Sequence, residues 1–408
     1  MRLVLIASIP RTLFFYQGLI HELIAQGHDV RVLSSGHPEL MDLQEMGCSV
    51  LAVNIPRRIS PFTDLVTIVR MVRDLRQRRP HIVHAHTPKA GLVGMLASFL
   101  VGVPHRIYTL HGCPLETATG LKRRLLWLSD RVACILATHV LVVSSTLHER
   151  FQAEGLCPVE KMHMLGDGTA CGIDVDHFHP TAETAALAQQ IRQEHHIPAD
   201  AVVFGYVGRL VPDKGIKPLV DGFLDLYAGA NHLRLLIVGD LDTSRERLDA
   251  VTLGHVDNHP AIIHVSHVKD PVPYYAAMDV VILPSRREGF SYVLLEAAAM
   301  ERPTITTRAT GCLDAVVDGQ TGLLVDVDNA EQLRRAMAQL SEDATRRRAM
   351  GLAGRERVCR SFSLRRLVEE HLRLYEELYL GKSRLHATRR TIGEGKSGPG
   401  SWDLENKA

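Results

Sequence analysis

The side chains best suited to chemistry lie in the second half of the chain, in the stretch PSRREGFSYVLLEA at 284–297. Glu288 falls where an apolar run gives way to a helical pattern, and Glu296 lies about two helical turns further on. Two carboxylates so placed can accept hydrogen bonds from several sugar hydroxyls. Gly289 lets a ligand approach the backbone closely, and N–H groups at a helix start favour anions. Taken alone, Glu296 also fits a solvated helix residue, and Glu288 one that favours the helix dipole. A cationic set stands upstream, where GYVGRL (205–210) is followed by Asp213-Lys214-Gly215. Arg209 and Lys214 flank a glycine-bearing loop at a strand's carboxyl end, and that pairing suits a diphosphate, with Arg gripping two oxygens and Lys acting as a point charge. A surface loop with two ordinary cations has the same composition. The glycine spacing matches neither the dinucleotide fingerprint nor a Walker loop, which sets a nicotinamide dehydrogenase aside.

In the first half, His111 ends the strand-like run RIYTLHG (106–112) and would face the same cleft from the opposite wall. A lone histidine equally serves structure. His84 and His86 alternate along one strand and so point the same way, but no third metal ligand accompanies them. Asp240-Leu241-Asp242 has the form of a metal-holding pair; it also reads as a polar loop in which Asp242 caps a helix starting near Thr243.

These residues need elements to hold them, and the pattern supplies two series. LVLIAS (3–8), VRVLSS (30–35), VLAVNI (50–55), HIVHAH (81–86), RIYTLHG (106–112) and HVLVVSS (139–145) are mostly apolar on both faces, as central parallel strands are. Between them, 18–27 and 61–77 have amphipathic helical spacing. The alternation breaks around 180–200 and restarts with VVFGYVG (202–208), RLLIVGD (234–240), IIHVS (262–266), DVVILPS (279–285), PTITT (303–307) and TGLLV (321–325). The expected fold is α/β, with two Rossmann-like doubly wound domains, 1–180 and 198–363, facing across a cleft that takes the ligand at the strand ends. A helix over 364–380 is expected to pack back on the first domain. The polar tail 381–408 cannot bury enough apolar surface to order itself.

Composition narrows the class. The 408 residues are 46% hydrophobic and 23% charged with a net charge of +1, which suits a globular protein and argues against a nucleic-acid binder. Arginines crowd 57–79, and Lys122, Arg123 and Arg124 form a second cluster; either they are solvated helix faces or they meet anionic lipid. Seven scattered cysteines without a C-x-x-C pair suit a reduced, cytoplasmic protein with neither disulfide framework nor zinc site. The start, MRLVLIASIPRTLFF, reads as a first buried strand rather than a signal peptide, and the apolar run 90–104 is too short to span a bilayer.

Together, EGFSYVLLEA (288–297), GYVGRLVPDKG (205–215), the TLHG strand end and GCLDAVVDGQTGLLV (311–325) resemble the large retaining glycosyltransferase family four, with its two-domain B-type fold. HIVHAHTPKAG (81–91) and the GCLD turn are similar to transferases of bacterial capsule, exopolysaccharide or lipid-linked glycan assembly. The resemblance implies a hexosyl- or N-acetylhexosaminyl-type transfer from a nucleoside diphosphate sugar, a UDP-sugar being favoured, to a hydroxyl of a polyprenyl-diphosphate-linked glycan. It implies no metal cofactor and a place in the cytoplasm, peripheral on the inner face of the membrane. Glu288 would hold the donor sugar near the reacting centre, Glu296 the ribose hydroxyls, and Arg209 and Lys214 the departing diphosphate. His111 would contact the donor sugar or its phosphate. The backbone of Gly289, Phe290 and Ser291 would line the donor, and Lys89 would lie on the acceptor side. Two departures stand out: Ile9-Pro10-Arg11-Thr12 replaces a glycine-rich loop after the first strand, and Ser266-His267 replaces a common glycine. The architecture also admits a non-hydrolysing sugar-nucleotide epimerase, or a catalytically silent partner in a glycan-assembly complex.

Overall fold

Each strand-like run forms a strand. The computed structural model describes residues 1–381 except 57, 59 and 243–246, so the disorder expected of the tail lies, beyond Gly381, outside the described residues. The first sheet holds β1 (Arg2–Ala7), β2 (Asp29–Ser34), β3 (Ser49–Ala52), β4 (Ile82–His86), β5 (His105–Leu110), β6 (His139–Val142) and β7 (Met162–His163). The second holds β8 (Val202–Val207), β9 (Leu233–Val238), β10 (Ile262–Val265), β11 (Val280–Leu283), β12 (Thr304–Thr307) and β13 (Gly322–Val325). Their orders are β3-β2-β1-β4-β5-β6-β7 and β10-β9-β8-β11-β12-β13, with every pairing parallel. The order reverses at β1/β4 in one sheet, where Leu3 pairs Ile82 and Ala7 pairs His86, and at β8/β11 in the other, where Phe204 pairs Val280. These are the switch points at which doubly wound sheets open a crevice at the strands' carboxyl ends. Helices cover both faces, which is why β4 is buried along its whole length.

Two features escaped the pattern. β7 is only two residues long and leaves no periodicity to read. The segment where alternation breaks contains a helix, Ala182–Glu194, which packs on the helix Val272–Ala277 of the second domain. Thr181 caps it by accepting from Thr184 N, and Arg192 ties it down through Asp279 Oδ2 at 2.8 Å. The second domain therefore gathers a helix that precedes the expected start at 198. Only Ala188 and Ile191 of that helix are buried, too narrow a stripe for hydrophobic spacing to reveal.

The chain returns to the first domain at its end. Ile173 and Ser363 form a bridge where the two crossings between domains lie side by side. The helix Leu364–Tyr379 then packs on the helix Gln17–Ala25, burying Leu367, His371, Leu374, Tyr375 and Leu378. Tyr375 Oη lies 2.6 Å from His84 Nδ1, and His84 Nε2 lies 2.6 Å from Thr109 Oγ1. His371, 2% exposed, hydrogen-bonds the Leu367 carbonyl at 2.8 Å. Burial lowers the pKa of His84 and His86 well below 6.5 and that of His371 to about 4, so all three are neutral in the fold. An unfolded chain protonates them from about pH 6.5 downward, so their contribution to stability is lost as pH falls through that window. For His371 alone the loss reaches about 3 kcal/mol by pH 4. The melting temperature is expected to drop steeply between pH 7 and 5, and His371→Leu to flatten that drop. Equal slopes in the two proteins would contradict this account.

Candidate active site

The cleft is built from the loops that leave β8, β11 and β12 on one side and β4, β5 and β6 on the other. On the second domain, the turn Pro212–Lys214 and the loop after β11 are joined backbone to backbone. Arg286 N donates to Asp213 O at 2.9 Å, and Ser285 Oγ lies 3.3 Å from the same carbonyl. Gly215 makes the join possible: its φ is +74°, and a Cβ there would sit 2.0 Å from Pro284 O. The join brings Lys214 Nζ to 2.5 Å from Glu288 Oε1, which also accepts from Ser285 Oγ at 2.9 Å. The Glu288 N–H is held by Thr310 O at 3.0 Å. Lys214 and Glu288, 74 residues apart in sequence, are thus one unit.

Arg209 follows β8, with its carbonyl held by the buried Tyr206 hydroxyl at 2.8 Å. Its guanidinium pairs with Asp242 Oδ2 at 2.6 Å. The alternative reading of Asp242 as the cap of a helix near Thr243 falls on 243–246, outside the described residues. Asp240 accepts from the His267 backbone N–H at 2.9 Å.

Ser291 caps the helix Tyr292–Ala299, its Oγ accepting from Leu294 N at 3.4 Å. The side chain of Phe290 is buried, 5.3 Å from the Phe362 ring, so only its backbone can face a ligand. Glu296 is only partly exposed and accepts from Tyr275 Oη at 2.7 Å. Burial raises its pKa, and the Tyr275 bond opposes that shift. It is therefore not a freely solvated helix residue.

On the first domain, His111 leaves β5 at the cleft, its Nε2 3.3 Å from Nδ1 of the buried His86. Burial lowers its pKa to about 4, so at neutral pH it offers a hydrogen bond rather than a charge. The two walls touch here. A Cβ at Gly289 would lie 1.9 Å from the His111 carbonyl oxygen, so only glycine allows the donor-side loop this close to the opposite strand end. Lys89, at the start of the helix Pro88–Val101, pairs with Asp64 Oδ2 on the helix Pro61–Arg78. That bond makes it a tie between two helices. Just before it, Thr87 holds φ 71° and ψ 149°, a strained conformation for a residue with a side chain, and bonds Ser8 Oγ at 2.9 Å across the β1/β4 switch point. Neither Thr87 nor Tyr275 carried a signal in the sequence. Among the described residues, no group of three or more His, Cys, Asp or Glu could hold a metal ion.

Two facing Rossmann-like domains with the site between them define the B-type glycosyltransferase architecture. Residues 15–168 match the family described as "Glycosyl transferase 4-like domain", and residues 201–343 match "Glycosyl transferases group 1". The capsular polysaccharide biosynthesis glycosyltransferase CapM of Staphylococcus aureus is 32% identical over 370 residues, which cover 91% of this chain and 95% of that one. A UDP-Gal:alpha-D-GlcNAc-diphosphoundecaprenol alpha-1,3-galactosyltransferase of Escherichia coli is 24% identical, covering 82% and 86%. The crystal structure of Anabaena HepE in complex with UDP-glucose has the same fold, with a TM-score of 0.77 at 18% identity over 92% of this chain and all of that one. The chain belongs to the group 1 glycosyltransferase family. It is a glycosyltransferase related to those of capsular and lipid-linked glycan synthesis.

Proposed function

We propose that this enzyme moves a hexosyl or N-acetylhexosaminyl unit from a UDP-sugar to a hydroxyl of a polyprenyl-diphosphate-linked glycan, with retention of anomeric configuration and without a metal. The observation that carries the reading is the Lys214–Glu288 unit beside the Gly289–His111 contact. It sets a cation and a carboxylate together where the walls meet. In this reading Lys214 and Arg209 take the charge that builds on the departing diphosphate, and Glu288 holds the sugar at the reacting centre. The backbone of Gly289–Ser291, which leads into the helix Tyr292–Ala299, gives N–H groups to the donor at the positive end of that helix. Glu296 accepts from the ribose hydroxyls, and neutral His111 bonds the sugar or its phosphate. Lys89 stays on the acceptor side as part of the helix pair that walls it. Two similar proteins, HepE crystallised with UDP-glucose and a galactosyltransferase acting on a diphosphoundecaprenol-linked sugar, support this choice of donor and acceptor.

The test is a panel of nucleotide sugars offered to the purified protein with and without an undecaprenyl-diphosphate-linked sugar. UDP release is expected only when the acceptor is present. Conversion of the donor alone into a new nucleotide sugar would replace this reading with epimerisation.

In this reading a lipid-linked acceptor calls for the enzyme to work at the inner face of the cytoplasmic membrane, and exposed residues of the first domain suit such a contact. No helix among the described residues is long and apolar enough to cross a membrane. Three neighbouring helices, Pro61–Arg78, Pro88–Val101 and Gly120–Leu136, instead expose apolar side chains to solvent. Phe62 is 88% exposed and Leu121 72%, joined by Leu65, Val66, Phe99, Leu100, Leu125 and Leu128. Arg58, Arg70, Arg73, Lys122 and Arg124 are exposed among them, whereas Arg57 lies outside the described residues. Cations interleaved with apolar side chains suit an anionic interface. Binding to phosphatidylglycerol-containing vesicles is expected, weaker at high salt, and much reduced by Phe62→Ser with Leu121→Ser. Equal binding to neutral and anionic vesicles would count against this surface.

A further inference from the structure

The Glu288 turn is held from both domains, and the bonds that hold it converge on one short segment. Thr310 uses its carbonyl to accept the Glu288 N–H at 3.0 Å, and its hydroxyl to reach Glu116 Oε1 of the first domain at 2.6 Å. Gly311 N donates to Thr146 Oγ1 at 2.9 Å, and that hydroxyl donates onward to Asp314 Oδ2. Asp314 Oδ1 accepts the backbone N–H of Ser145 at 2.7 Å and that of Thr146 at 3.4 Å. A carboxylate of the second domain thereby caps the helix Ser145–Ala153 of the first, at the end where unpaired N–H groups favour negative charge. Next to it, Ser144 Oγ donates to Gly289 O at 2.9 Å, fixing the other side of the same turn. Arg357 holds the carbonyls of Asp314 and Ala315 at 2.7 Å each, so this segment stays with the second domain and only its side chains and Gly311 N–H reach across.

We infer that Thr310–Asp314 is a latch that closes onto Glu116 and Ser145–Thr146 and, in closing, places Glu288, with Asp314 and Thr146 as positioning residues. The role given to Glu288 rests on the function proposed above. The latch itself rests only on the bonds between domains. Those bonds exist only while the cleft is closed, and Thr310 carries one of them on the same residue that holds the Glu288 backbone. Opening the cleft leaves the Thr310–Glu288 backbone bond in place but removes the Ser144 bond to Gly289 O and the Glu116 bond to the Thr310 hydroxyl, so the turn is fixed from both sides only when the cleft closes, and donor bound to an open enzyme is not yet committed to transfer.

The variants are Asp314→Ala, Thr146→Val, their double, and Thr146→Ser, which keeps the hydroxyl. Each of the first two is expected to lower kcat roughly 10–100-fold, the scale of losing charge-assisted hydrogen bonds, with the Kd for UDP by calorimetry changed far less. The double is expected to be no worse than the more damaging single, because both remove the same link. Thr146→Ser should restore near-normal turnover. Small-angle scattering of the UDP-bound proteins should show a larger radius of gyration for Asp314→Ala and Thr146→Val than for the parent. Multiplying kcat losses, or parent-like compaction in both singles, would overturn the latch. Should Asp314→Ala fold poorly, Thr146→Val breaks the link from the other domain and decides the matter. If the parent transfers no sugar from any donor, the functional reading fails while the scattering still judges the latch.

Discussion

Glu288→Gln is expected to lose on the order of 10²–10³ in turnover, the scale set by removing one preorganised charge or donor from a transition state. The substitution isolates charge from shape. Glutamine keeps the volume and one carbonyl oxygen, so it can still accept from Ser285 Oγ, which lies 2.9 Å from Glu288 Oε1. The Thr310 carbonyl holds the backbone N–H of this position whichever side chain it carries. What disappears is the negative charge beside Lys214. The fold should tolerate this. The side chains of Lys214 and Glu288 are 19% and 15% exposed, so the lysine left behind keeps some contact with water. A cost of about 1–2 kcal/mol is the expectation for a partly exposed pair, small for a chain of this size. An interaction realised mainly in the transition state lowers kcat, whereas one shared by substrate and transition state raises KM. Steady-state kinetics with a melting curve therefore separate three outcomes. A fall in kcat at nearly constant melting temperature supports the role at the reacting centre. A raised donor KM at normal kcat makes Glu288 a binding residue only. Near-normal values of both remove it from the site.

The strands that position Glu288 were legible for a physical reason. A central parallel strand is covered on both faces, so VVIL in β11 and IVHAH in β4 must resist water throughout their length, and that leaves a run of apolar residues. Amphipathic helices with a wide apolar stripe were legible too. The helix Ala182–Glu194 was not, because two buried positions make no stripe. Types of site residue could be read locally: a carboxylate at a strand-to-helix turn, and cations beside a glycine loop. Their partners could not. Glu296 meets Tyr275 across 21 positions, Arg209 meets Asp242 across 33, and Thr146 meets Asp314 across 168. Such pairs join separate helices and loops, within one domain or across both, and no periodicity links them. His86 illustrates the same limit. Its alternation with His84 suggested a shared direction, but only the packed sheet shows that one ring bonds Tyr375 and Thr109 while the other faces His111.

Turnover is expected to survive EDTA and to fall in Lys214→Ala and Arg209→Ala, more severely in the first. A diphosphate leaving group needs positive charge, and the question is which groups supply it. Asp240 and Asp242 are the pair whose sequence has the form of a metal holder. Asp240 already accepts from the His267 N–H at 2.9 Å, and Asp242 already neutralises Arg209 at 2.6 Å. Drawing Asp242 onto a divalent ion would leave the guanidinium uncompensated next to more positive charge. Using the side chains costs less. Arg209 and Lys214 each hold a carboxylate before donor binds, so a phosphate group exchanges one anionic partner for another. Each charge-assisted contact contributes roughly 1.5–3 kcal/mol, or about 10–100-fold in rate, when it strengthens as the leaving group gains charge. The ranking follows from exposure: the Lys214 side chain is 19% exposed and that of Arg209 47%, so solvent screens the lysine less. Sugar transfer measured after chelation, with and without added magnesium or manganese, is the check. Loss of turnover in EDTA with recovery on adding either ion would reassign the leaving-group role to Asp240 and Asp242.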